Sequence, residues 1–307
     1  MPLCTPHFFS LRLAASLCLI SAGTAQAAPL TARDDSGQIV HLAAPARRII
    51  SLAPHATELL YAAGAGEHLI AVSAYSDWPA AAKKLPSVGS YQALDLERIA
   101  SLHPDLVVGW ASGNPQSQID RLRALGIPVF LSEPRQIAQI AENLRTLSRL
   151  TGSIAAGEAA AKLFEARIAT LKARHSGRKT IKVFYEIWPQ PLMTLNGQHM
   201  VSAAISLCGG ENVFAGLGAL APTISQEAVL NARPELILTP SEAGLASAAA
   251  LAEWKRWPQL PAVRYGNLAS VDGNLLNRSG PRFAEGAQQL CAVLEAARKL
   301  SSTSSSA

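Results

Sequence analysis

Apolar and polar positions along this chain alternate between two periods. Short continuous apolar runs at 48–52, 69–74, 105–110, 127–131, 182–187 and 268–271 read as buried strands. Between them lie segments with apolar residues at helical spacing: 54–63, 116–125, Met200–Leu207, 248–254 and 281–300. Gly64, Gly66 and Gly126 follow as helix stops. Strand and helix in alternation predict a mostly parallel sheet with right-handed crossovers. From 135 to 175 the pattern changes. Ile137, Ile140, Leu144, Leu147 and Leu150 recur at helical spacing, and an alanine-rich run carries Leu163, Phe164, Ile168 and Leu171. No strand fits there. The second run predicts one long helix bridging two lobes rather than a flexible linker.

One stretch occurs twice. Residues 94–108 align without a gap on 224–238, placing Glu97 on Glu227, Pro104 on Pro234 and Asp105 on Glu235. Each copy reads as a short helix, a proline stop and a buried strand. Asp95 and Ser225 are the expected N-caps, with each glutamate in the first turn. Helix–proline–acid–strand is a common α/β connection, so chance is the competing reading; the paired glutamates argue against it. The fold class expected is α/β: two Rossmann-like lobes with mostly parallel sheets, bridged by a single long α-helix. The divisions are a signal peptide at 1–27, an N-terminal lobe at 28–150, a bridging helix at 151–177, a C-terminal lobe at 178–300 and a disordered tail at 301–307. Two similar lobes present two similar exposed acids, which suits a two-fold symmetric partner.

Composition adds a compartment. Residues 1–27 carry His7 and Arg12 ahead of an apolar core at 13–20 and end in Ala25-Gln26-Ala27, a small-x-small cleavage pattern. The run is shorter than the roughly 20 residues of a spanning helix, so a cleaved leader and export to the periplasm are expected. Removing Arg12 with the leader lowers the formal charge of +5 by one, to +4, spread without a basic run. Nucleic acid is therefore not an expected partner. Cys4 and Cys18 depart with the leader. Cys208 and Cys291 remain as one pair in an oxidising compartment, where a disulfide is expected and two buried thiols are the other reading.

Catalytic signatures are absent: there is no GxSxG, HExxH, CxxC or phosphate loop. Ser51 and His55, with Asp77 on a nearby loop, offer a remote envelope-hydrolase reading, against which stand a capping serine and a solvated histidine. The histidines show no tight metal spacing, and no metal site is expected. The aromatics say more. Tyr75, Trp78, Tyr91 and Trp110 fall at or just beyond strand ends in the first lobe, and Trp188 just past the first strand of the second. Ligands of open α/β sheets bind outside the carboxyl ends of the strands. A ring of aromatics there lines a cleft for a large, flat, partly apolar molecule, with Asp272, Arg278 and Arg282 for polar contacts.

Four features carry a resemblance to a known family: Ser51-Leu52-Ala53-Pro54 with Thr57-Glu58, the 94–108 segment, Gly209-Gly210-Glu211-Asn212-Val213-Phe214, and the linking helix. Over about 47–300 the chain resembles the periplasmic substrate-binding proteins of ABC importers. It is closest to the class whose lobes share one long helix and which carries siderophores, haem and cobalamin. Tyr75-Ser76-Asp77-Trp78-Pro79, 92–99, Ser279-Gly280-Pro281-Arg282 and 287–291 resemble the cobalamin-binding members of that class. The resemblance implies a monomer that is not an enzyme, with cobalamin as cargo rather than cofactor. It implies corrin contacts from Tyr75, Tyr91 and Trp110 in the first lobe and from Asp272 and Arg278 in the second. It pairs Cys208 with Cys291. It assigns Glu97 and Glu227 to docking on the two permease subunits. Haem or a ferric siderophore is the alternative cargo on the same scaffold. Tyr91 stands where these members carry tryptophan, and Ala221 where they carry a second-lobe aromatic.

Overall fold

The computed structural model describes residues 1–3, 29–241 and 247–303. The expected leader falls on residues outside this set, except for its first three. A hairpin, Leu30–Arg33 with Ile39–Leu42, leads in around Ser36-Gly37. The first lobe then builds a parallel sheet from β1 (Ile49–Ser51), β2 (Leu69–Val72), β3 (Leu106–Trp110) and β4 (Val129–Ser132). The second lobe does the same with β5 (Ile181–Tyr185), β6 (Gly210–Asn212), β7 (Leu236–Ser241) and β8 (Leu268–Asp272). The spatial order is β2-β1-β3-β4 in one and β6-β5-β7-β8 in the other, the same order shifted by four. The two-lobed α/β architecture is as expected.

The helices are α1 (Pro54–Ala62), α2 (Leu96–Ser101), α3 (Gln116–Ala124), α4 (Ile137–Thr151), α5 (Ile154–His175), α6 (Met200–Leu207), α7 (Gln226–Ala232), α8 (Ser247–Trp254), α9 (Pro261–Arg264), α10 (Gly273–Leu276) and α11 (Phe283–Thr303). Residues 301–303, expected in a disordered tail, continue α11; 304–307 lie outside the described residues. The bridge starts later than the division at 151 because Thr151 still ends α4. Gly152 then turns left-handed at φ 74°, a conformation that costs glycine nothing. Helix α5 packs on α1 and α4 of the first lobe and on α6 and α11 of the second. Its approach to α4 is tight: a Cβ on Gly157 would lie 2.2 Å from that of Ser148.

Side chains alternate across both sheets, as the pleat requires. Ile49, Leu106, Val108 and Phe130 point one way, and Ile50, Val107, Val129 and Leu131 the other. In the second sheet Val183, Tyr185, Leu236 and Leu238 oppose Phe184 and Ile237. The first-named faces of both sheets belong to one continuous core that passes through Ala161, Phe164 and Leu171 of α5. The outer faces have separate cores. The lobes therefore share apolar packing along the bridge. Cys208, at the end of α6, forms a disulfide with Cys291 of α11. Its sequence separation of 83 contributes roughly 4.5 kcal/mol on a chain-entropy estimate.

The repeat is structural at every expected point. Asp95 accepts from the Arg98 N–H at 2.9 Å, and Ser225 from the Ala228 N–H at 3.2 Å. His103 and Arg233, each just before the proline, both adopt positive φ, 46° and 48°. The next acid then clamps the start of its lobe's first strand. Asp105 accepts from the Arg47 and Arg48 N–H groups at 2.8 and 3.0 Å, and Glu235 from the Lys182 N–H at 3.0 Å. Among the described residues no helix is long and apolar enough to cross a membrane.

Candidate functional site

The carboxyl ends of the two sheets meet across a cleft. Trp110 ends β3 half-buried, its indole 5.6 Å from the Tyr91 ring and 5.7 Å, edge to face, from the buried His55 ring. Tyr91 sits at the turn of a small hairpin, Gly89–Ser90 with Ala93–Leu94, which sequence periodicity did not show because each arm is two residues long. Asn114 holds this platform together. Its Oδ1 accepts from the Trp110 N–H at 2.7 Å, and its Nδ2 donates to the carbonyls of Tyr91 at 2.9 Å and Leu52 at 3.2 Å. Gly113 makes room for the indole: a Cβ there would come within 1.9 Å of the Trp110 ring. Asn114 and Gly113 carry no signal in the sequence pattern, since they lie between the strand that ends at Trp110 and the helix that begins at Gln116.

Other expected site residues are placed differently. Tyr75 follows β2 at φ 65° and is 72% exposed. Trp78 is half-exposed, with the Arg282 guanidinium 4.7 Å from its ring centroid. Trp188 is also half-exposed, and its indole N–H donates to the Gln190 carbonyl at 2.9 Å. Asp272 caps α10, accepting from the Asn274 N–H at 2.9 Å, so at least one carboxylate oxygen is committed to the fold. Ala221 is exposed, beside Leu220 and Pro222, whose carbonyls accept from the Asn196 and Thr194 N–H groups.

Arg278 crosses the cleft. It donates to Asp77 at 2.6 Å and to Glu58 at 3.3 Å, and its other Nη to Asn274 at 2.7 Å. Arg282 crosses with it and grips both oxygens of Glu58 at 2.6 and 3.0 Å. Glu58 projects from α1 with a side chain only 1% exposed. It entered the sequence reading only as part of a motif, because its partners lie more than two hundred positions away. Burial pushes the Asp77 carboxyl up, but the Arg278 hydrogen bond and charge outweigh it and hold the carboxyl below its usual range.

His55 is neutral. Burial lowers its pKa to about 4, the Arg278 charge lowers it too, and a hydrogen bond with the Ser132 backbone offsets only part of this. Its Nε2 is buried without a partner among the described residues. The hydrolase reading fails on the other member of the pair. Ser51 is fully buried, donates to the Ala53 carbonyl at 3.0 Å and accepts from the Thr57 hydroxyl at 2.9 Å. Among the described residues no group of three or more His, Cys, Asp or Glu is arranged to hold a metal ion.

Glu97 and Glu227 lie in the first turns of α2 and α7, both exposed. The Glu227 carboxyl is lowered by its backbone and Ser225 hydrogen bonds.

A family model described as "Periplasmic binding protein" matches residues 49–275. A vitamin B12-binding protein of Vibrio parahaemolyticus is 37% identical over 255 residues, 83% of this chain and 92% of the relative. One from Yersinia pestis is 41% identical over 249 residues, 80% and 85%. Among solved structures, the periplasmic vitamin B12 binding protein BtuF of Vibrio cholerae superposes with a TM-score of 0.77 at 37% identity, covering 83% of this chain and 99% of that one. The periplasmic haem-binding protein RhuT from Roseiflexus sp. RS-1 gives 0.72 at 26%, covering 82% and 98%.

Proposed function

The chain belongs to the periplasmic binding protein family, and from that membership we propose that it captures cobalamin in the inter-lobe cleft and delivers it to an ABC permease. It works in the periplasm, and its leader is removed after Ala27. The observation that carries the reading is the 37–41% identity to vitamin B12-binding proteins, sustained over about four fifths of the chain. The Tyr91–Trp110 pair supports it, since a corrin needs a broad apolar face to lie on, and each buried aromatic contributes about 1–3 kcal/mol.

The proposed contact set is Tyr75, Tyr91 and Trp110 from the first lobe and Trp188 from the second. Trp78, Asp272 and Arg278 act at the rim. Arg278 reaches cargo by exchanging its bonds to Glu58 and Asp77 for bonds to the ligand. Glu97 and Glu227 dock on a permease of two-fold symmetry. Calorimetric titration of the mature protein with cyanocobalamin, with haemin alongside, tests the cargo. One-to-one binding of the corrinoid alone is expected. Binding of haemin alone would keep the scaffold and overturn the cargo.

A further inference from the structure

Away from the aromatic platform the two lobes enclose a second space, a crevice of about 560 Å³. Arg135, Gln136 and Ala138, just past β4, form one wall. Gly197, Gln198 and Ala203, leading into α6, form the other. The lining is small or uncharged except for Arg135, and none of it is acidic. Among the described residues the Arg135 guanidinium has no ion-pair partner, whereas Arg278 and Arg282 are both committed to carboxylates. The helix ends beside the crevice are closed by their own side chains. Gln139 accepts from the Arg135 and Gln136 N–H groups, and His199 from the Val201 N–H. What the crevice offers a ligand is therefore the fork of Arg135 and the amides of Gln136 and Gln198.

We infer that Arg135, with Gln198 opposite, forms a subsite for the anionic phosphodiester of a complete corrinoid and so discriminates against corrinoids that lack the nucleotide arm. Guanidinium is the side chain best matched to a phosphate, by charge and by its planar donor pair. The reach is right. Trp110 pairs with Ser132 across β3 and β4, and Arg135 follows three residues later. Its Cα thus lies within about 15 Å of that of Trp110. A macrocycle lying on the aromatic platform can extend an appended arm to Arg135.

The inference rests on the corrinoid reading and is tested apart from it. Cyanocobalamin carries the phosphodiester; dicyanocobinamide has the same macrocycle without it. Affinities of both are measured by calorimetry for the wild type and for Arg135→Gln. The variant should bind cyanocobalamin about five- to tenfold more weakly, the ordinary worth of a charged hydrogen bond from an exposed side chain. Its affinity for dicyanocobinamide should stay within about twofold of wild type. Added salt should weaken the wild type's hold on cyanocobalamin but not on dicyanocobinamide, and the variant should lose that difference. Equal losses for both ligands, or no loss for either, would overturn the subsite while leaving the cargo assignment standing. A wild type that binds neither corrinoid overturns both.

Discussion

Arg282 in the second lobe and Glu58 in the first form a two-point ion pair across the cleft, with N···O distances of 2.6 and 3.0 Å around a carboxylate side chain 1% exposed. A buried pair costs most when one member is removed and the other is stranded. Arg282→Met leaves Glu58 only its longer bond from Arg278 and is expected to lower unfolding stability by about 2 kcal/mol. The double variant Glu58→Met/Arg282→Met should recover part of that loss, because the buried carboxylate then served only by the longer Arg278 bond is gone. Urea unfolding of the single and double variants at neutral pH measures both. A double variant less stable than the single would show that the pair does not act as a unit.

Acid should weaken the fold through two neutral histidines. His55 and His199 are each lowered by burial to about 4, and the Nδ1 of His199 must stay unprotonated to accept the Val201 N–H. Between about pH 6.5 and 4 the unfolded chain takes up protons at these positions while the folded chain does not. Stability from this source is therefore intact above the unfolded pKa and falls as pH drops through that window. Each histidine gives a slope of about 1.4 kcal/mol per pH unit. In His55→Gln, unfolding midpoints followed from pH 7 to pH 4.5 should flatten by one histidine's share. An unchanged slope would mean that His55 is protonated in the folded protein.

The exposed first-turn acids predict a separation of functions. Glu97→Arg with Glu227→Arg should abolish uptake through a reconstituted permease and leave cyanocobalamin affinity within about twofold, since both side chains are exposed in the first turns of α2 and α7. Undiminished uptake by the double variant would remove the docking role.

Gly113 and Trp110 give a test of the platform that deletes no aromatic atom. A methyl group at 113 collides with the indole, so Gly113→Ala should displace the ring and weaken cyanocobalamin binding. Trp110→Ala should cost about 1–3 kcal/mol of binding, or about five- to 150-fold. Ala221→Trp, which adds an aromatic to the second lobe, should move affinity the other way. Calorimetry on the three variants decides, and wild-type affinity in both Gly113→Ala and Trp110→Ala would exclude the platform.

Local chemistry made much of this legible. The caps at Asp95 and Ser225, the proline stops and the buried strands after them follow from neighbouring residues alone, and the structure reproduces them. The cysteine pair followed from a count within one compartment. The cleft's polar wiring was opaque for the opposite reason. Glu58 is one acid in an apolar helix, and only the fold brings Arg278 and Arg282 to it from the far end of the chain. Asp272 follows the last strand and reads as a polar contact, and its second role as the cap of α10, which begins one residue later, needed the structure. Asn114 ties three backbone segments that share no sequence pattern.

The shared strand order of the lobes, and the matched positions of α2 and α7, have a consequence for landing. Glu97 and Glu227 stand at corresponding positions of the two lobes, each in the first turn of the helix that precedes its lobe's third strand. A receptor that is itself two-fold symmetric then meets the same pair of charges in either pose, so neither heading is wrong. Such a receptor's own symmetry makes the two poses equal in energy, a statistical gain of about 0.4 kcal/mol; what the paired glutamates add is a like charge for each half of the receptor.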